Sequence, residues 1–125
     1  MSGGPGEREI GAALVAAIRA PVVDLTGATS LDGFAALLRD SAVLVGNDTG
    51  SAHLAAAVGA RSVTVFLPGE PVRWAHRGPR HRAVRADVPC APCPHLECPI
   101  DFRCATSVTP RRVLAAALEL LRAAA

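Results

Sequence analysis

Lysine is absent from this 125-residue chain, and only Phe34, Phe66, Trp74 and Phe102 are aromatic. All 13 basic side chains are therefore arginine. We read this as a genome composition bias, since the two cations are not interchangeable at every surface site. So few rings leave alanine, valine and leucine to build the core, and they deny the chain the aromatic interleaving that single-stranded nucleic acid prefers. No nucleic-acid partner is expected. A formal net charge of +2 selects no partner either. No apolar segment approaches the roughly 20 residues that a membrane-spanning helix needs. Met1 to Glu9 is glycine-rich and charged, without the apolar core of a leader. A cytoplasmic protein of one domain, 1–125, is the expectation.

What is present is an alternation of periodic segments. Ile10, Leu14 and Ile18 recur at helical spacing within Glu7–Arg19, and Pro21 stops that helix. Val22–Leu25 reads as a short strand and Thr26–Thr29 as a turn. Ser30 caps a helix from Leu31 to Asp40, with Leu31, Phe34, Leu37 and Leu38 on one face. A strand follows at Val43–Val45, then a helix to Val58 ended by Gly59, then the β-branched strand Ser62–Phe66. Such alternation predicts an α/β fold, a Rossmann-like, doubly wound parallel sheet flanked by helices. Ligands of that architecture bind beyond the carboxyl ends of the strands, where both the Thr26–Thr29 turn and the Asn47–Gly50 elbow are expected. Further on, Glu70–Arg82 reads as a loop, Ala83–Ala86 as one more strand, and Thr109-Pro110 as the start of a helix to about Arg122.

The stretch Val43–Val58 (VLVGNDTGSAHLAAAV) carries the clearest chemistry. Strand, glycine-bearing elbow and helix start make an anion site, because first-turn amides lack intrahelical partners and the macrodipole adds about half a positive charge. Gly46 and Gly50 permit close approach, and His53 lies in the first turn. An ordinary turn capped by Asp48 or Thr49 is the alternative. Between Pro71 and Ala86 stand Arg73, Arg77, Arg80, Arg82, Arg85, His76 and His81 with no acid; this is a solvated loop or a basic lid. The cysteines Cys90, Cys93, Cys98 and Cys104 follow the spacing C-x2-C-x4-C-x5-C in a cysteine-rich loop at 88–106. Zinc or an iron–sulfur cluster, reduced structural thiols, and disulfides all remain open for them.

Three motifs together, D-L-T-G-x-T-S-L (Asp24–Leu31), G-N-D-T-G-x-x-H-L-A-A-A (Gly46–Ala57) and the C-x-P-C…C-P…C run, resemble glycosyltransferase family 9. Those are the heptosyltransferases of lipopolysaccharide core assembly and their relatives. Departures are small: Leu67-Pro68-Gly69-Glu70-Pro71 stands where the family usually has G-P-T-D-P, and Ser51 where proline or another small residue is frequent.

The resemblance implies a GT-B enzyme, of which this chain matches part of the C-terminal, donor-binding domain. It implies a nucleotide-diphospho-sugar donor, ADP-heptose-like, and a glycan or lipid-linked acceptor met at the inner face of the membrane. Asp48, Thr49, Gly50 and His53 would lie at the donor diphosphate and sugar, and Gly27, Ala28 and Thr29 near the nucleotide base. No cofactor is required for transfer. The acceptor domain and its catalytic base would belong to a missing half, a separately encoded partner or a second copy, so the isolated chain is expected to be inactive. A stand-alone nucleotide- or metal-binding module is the alternative.

Overall fold

The computed structural model describes residues 1–95 and 97–124. The sheet is parallel and three-stranded, in the order β1 (Leu44–Asn47), β2 (Ser62–Phe66), β3 (His81–Arg85). Leu44 pairs with Ser62, and Ser62 with His81. The middle strand, SVTVF, is buried on both faces: Val63 and Phe66 are both 0% exposed. That is the expected environment of a β-branched central strand in a helix-covered parallel sheet.

Helix α3 (Gly50–Ala57) connects β1 to β2 and packs on both strands, with Ala52 and Ala55 buried. Alanine at these positions lets the helix approach the sheet closely. The 13-residue helix α6 (Pro110–Arg122) packs on β2 and β3. Its Ala117 and Leu120 join Val63 and Val84 in the core, bordered by Val43, Val108, Val113 and Ala116. Burying a side chain such as Leu120 is worth about 1.5–3 kcal/mol. Outside this core, the Arg82 guanidinium meets Glu119 of α6 at 2.7 Å, an exposed pair worth less than about 1 kcal/mol.

The chain divides into two units, 1–36 and 37–125. Helix α2 (Leu31–Asp40) runs across the division, and the Ser30 hydroxyl accepts from the Gly33 amide as a cap should. In the first unit a 3-10 turn (Pro5–Glu7) leads into α1 (Arg8–Ala17). Ile18 is already extended, so the helix ends before the expected Arg19. Ile10, Leu14 and Ile18 are exposed.

Val22–Leu25 is not a strand of the sheet, contrary to expectation. Its backbone instead meets the first residues: the Met1 ammonium donates to Val23 O at 2.7 Å and the Leu25 amide to Met1 O at 2.9 Å. The Asp24 carboxylate then takes both the amide and the hydroxyl of Thr26, which turns the chain and ends the extended run.

Strand β3 runs from His81 to Arg85, starting inside the expected loop and ending before the expected Ala86. Three more elements differ. Strand β1 starts at Leu44 and runs through Gly46 and Asn47, because the Asp48 amide continues the ladder to Val65 O. The loop after β2 contains a short helix, α4 (Pro71–Trp74), opened by proline at its first position. A second short helix, α5 (Arg103–Thr106), lies inside the cysteine-rich segment and carries Cys104.

Candidate functional site

The elbow places its first residues in β1 and its last at the start of α3. Thr49 is the N-cap residue, but its side chain makes no capping bond; its hydroxyl faces the Ser51 hydroxyl at 2.9 Å. The Ala52 amide returns to Thr49 O. Among the described residues, the Gly50 and Ser51 amides find no protein acceptor. Neither Asp48 nor Thr49 therefore closes the helix end, and two backbone donors stay open at the positive end of the dipole. The Asp48 carboxylate stands beside Gly69, where an added Cβ would come within 3.0 Å of Oδ2. Glycine at that position keeps the space next to the carboxylate open.

His53 is already engaged. Its Nδ1 lies 2.9 Å from Nε2 of His76, and the two rings meet edge to face. Beyond them the His81 ring sits 5.6 Å from His76, and His81 Nδ1 lies 2.9 Å from the Ser62 hydroxyl. A row of three imidazoles thus joins α3, the basic loop and the start of β3. Burial first, then the charges of His76 and Arg80, hold His81 below its usual pKa. The His53–His76 bond needs one ring nitrogen with a proton and one without, so both rings cannot be cationic and keep it. His76 was not singled out as a partner from the sequence; the only signal was its place in an acid-free basic stretch.

That stretch is pinned rather than free. Arg80 donates to Gly59 O at 2.7 Å, Arg82 to Glu119, and Arg73 lies 5.0 Å from the centre of the Trp74 ring. Arg80 and Arg82 thus tie the end of the stretch to the end of α3 and to α6, while Arg73 and Trp74 meet within it.

In the first unit, Gly27 of the expected base-binding turn is left-handed, with φ 65°. An added Cβ there would meet Arg8 Nε at 2.7 Å, and Arg8 donates to Gly27 O at 3.0 Å. The turn Gly27-Ala28-Thr29 is thus shaped by its contact with α1, and only glycine fits at its head.

Cys90, Cys93, Cys98 and Cys104 are free thiols, each partly buried, and all four line one cavity of about 310 Å³. Among the described residues, no three His, Cys, Asp or Glu side chains come together closely enough to hold a metal ion. The cavity is shared by apolar walls from Leu67, Pro68 and Phe102. The Cys93 amide donates to Pro68 O at 2.9 Å and ties the loop to the end of β2. Phe102, left-handed at φ 53°, opens α5.

The family model of glycosyltransferase family 9 (heptosyltransferase) matches residues 1–102. The chain belongs to glycosyltransferase family 9. Neither the curated proteins nor the solved structures yielded a match. The family match contains the Gly27 turn, the elbow, His53 and His76, and three of the four cysteines; Cys104 and α6 lie beyond it. Membership in family 9 makes the protein a glycosyltransferase with a sugar donor and an acceptor as substrates. None of its described helices is long and apolar enough to cross a membrane.

Proposed function

We propose that this family 9 chain binds a nucleotide-diphospho-sugar, ADP-heptose-like, with the diphosphate seated on the start of α3. The supporting observation is the uncapped helix end: the amides of Gly50 and Ser51 are open, and Thr49 caps nothing with its side chain. The Thr49 and Gly50 amides, joined by that of Ser51, donate to diphosphate oxygens. With the His76 Nε2–H donating to His53 Nδ1, the remaining His53 proton sits on Nε2 and is available to a phosphate oxygen. Asp48, an acid beside phosphates, accepts from hydroxyls of the sugar.

Transfer on this reading is displacement at the anomeric carbon by an acceptor hydroxyl of a glycan or lipopolysaccharide-core-like molecule. Negative charge grows on the departing diphosphate, where preorganised amides are worth most. The elbow residues bind and polarise the leaving group; the base that deprotonates the acceptor is not among them. Transfer itself needs no metal or other cofactor.

Titration calorimetry tests the assignment. Asp48→Ala with His53→Ala should weaken ADP binding by roughly tenfold or more, the loss expected for charge-assisted hydrogen bonds. Asp48→Ala alone should weaken ADP-heptose more than ADP. Equal ADP affinity in wild type and double variant would remove the elbow as the site.

A further inference from the structure

The donor reading leaves the cysteine-lined cavity unused. Its four thiols are free and partly exposed, and no metal-binding group forms among the described residues. A volume of about 310 Å³ is at the lower end of what small organic ligands occupy. One thiol differs from the other three. The Phe102 amide donates to Cys98 Sγ at 3.3 Å, across the turn between them. Arg103, held by Asp101 in a two-pronged contact at 2.9 and 3.0 Å, lies within electrostatic reach of both Cys90 and Cys98.

We propose that the cavity is a thiol–disulfide exchange site in which Cys98 attacks low-molecular-weight disulfides and Cys90 resolves the product. Backbone N–H groups aimed at sulfur favour thiolate, and thiolate is the nucleophile. The amide of Ile100 first, and those of Phe102 and Asp101 with it, hold Cys98 below the usual thiol pKa, against burial and the Asp101 charge. In the first step the Cys98 thiolate forms a bond to one sulfur of R–S–S–R as the old S–S bond breaks and R–S⁻ leaves. In the second, the Cys90 thiolate attacks the Cys98 sulfur, a second R–S⁻ leaves, and a Cys90–Cys98 disulfide remains. The chain gives up two electrons and two protons, and the small disulfide is reduced to two thiols.

Reduced full-length chain mixed with dithiodipyridine reports both steps through release of the coloured thione. The expected result is a fast first equivalent, roughly tenfold quicker than that of the other cysteines. A second equivalent should follow without further probe, and peptide mapping should locate a Cys90–Cys98 bond. Cys98→Ser should abolish the fast phase. Cys90→Ser, which keeps the nucleophile, should retain the first equivalent, lose the second and accumulate the mixed disulfide. Equal reactivity of the four cysteines, a fast phase surviving in Cys98→Ser, or stoichiometric zinc on the purified protein would each overturn the proposal. These readouts are independent of nucleotide binding.

Discussion

The elbow at the start of α3 and the cavity at the cysteines are built from opposite materials. At the elbow the active groups are backbone amides, left open because glycine begins the helix and the threonine before it turns its hydroxyl to Ser51. At the cavity the groups are side-chain thiols, and the backbone serves one of them, the Phe102 amide donating to Cys98 Sγ. On the readings proposed above, one takes hard, fully charged phosphate and the other soft, polarisable sulfur. Both border the segment that follows β2. Gly69 abuts Asp48 and Phe66, while Leu67 and Pro68 form part of the cavity wall. Phe66, the last residue of β2, is fully buried where that segment starts and offers a support the two regions could share.

The largest expected effect removes that support. Phe66→Ala should cost about 3–5 kcal/mol of unfolding free energy, read by urea denaturation, and should impair ADP binding and the Cys98 fast phase together. Loss of only one function would show that the two regions are anchored separately.

A smaller and more selective change is Gly50→Pro. Proline is well suited to the first helical position and deletes one open amide. Affinity for ADP should fall about tenfold, equivalent to about 1.4 kcal/mol, with the melting temperature and the thiol kinetics unchanged. Undiminished ADP binding would move the diphosphate away from this amide.

The smallest effect is a pH dependence of stability carried by His81. The folded protein holds His81 below its ordinary 6.5, through burial, His76 and Arg80. The unfolded chain therefore binds more protons, and stability falls as pH drops from about 6.5 downward. The lowered carboxylates Asp24, Asp101 and Glu119 act below their ordinary 3.8 to 4.5, so the windows separate. Denaturation midpoints between pH 7 and 5.5 should fall in the wild type and flatten in His81→Gln, with Cys98 modification following its own thiolate titration.

Much of the parallel architecture was legible because β-branched runs and alanine-rich helices repeat in alternation. Ser62–Phe66, the Leu31–Asp40 helix and the Thr109-Pro110 helix start all stand where periodicity and capping residues put them. Val22–Leu25 misled because four extended, apolar-leaning residues look like a strand whatever partner they find. The polar contacts of Asp24 with Thr26 turned the chain instead. The short helices α4 and α5 were invisible, being too brief to show a period.

By itself the sequence determined the family, the α/β class and the place of the elbow, because each is written in local motifs and their order along the chain. That neither Asp48 nor Thr49 caps α3 was decided by the structure. Only the tertiary structure decided that His53 meets His76, that Gly69 leaves room beside Asp48, and that four thiols share one cavity without grouping three metal donors among the described residues. Hydrogen-bond partners separated by 23 residues, like the walls of a cavity, are set by packing, and no local pattern encodes them.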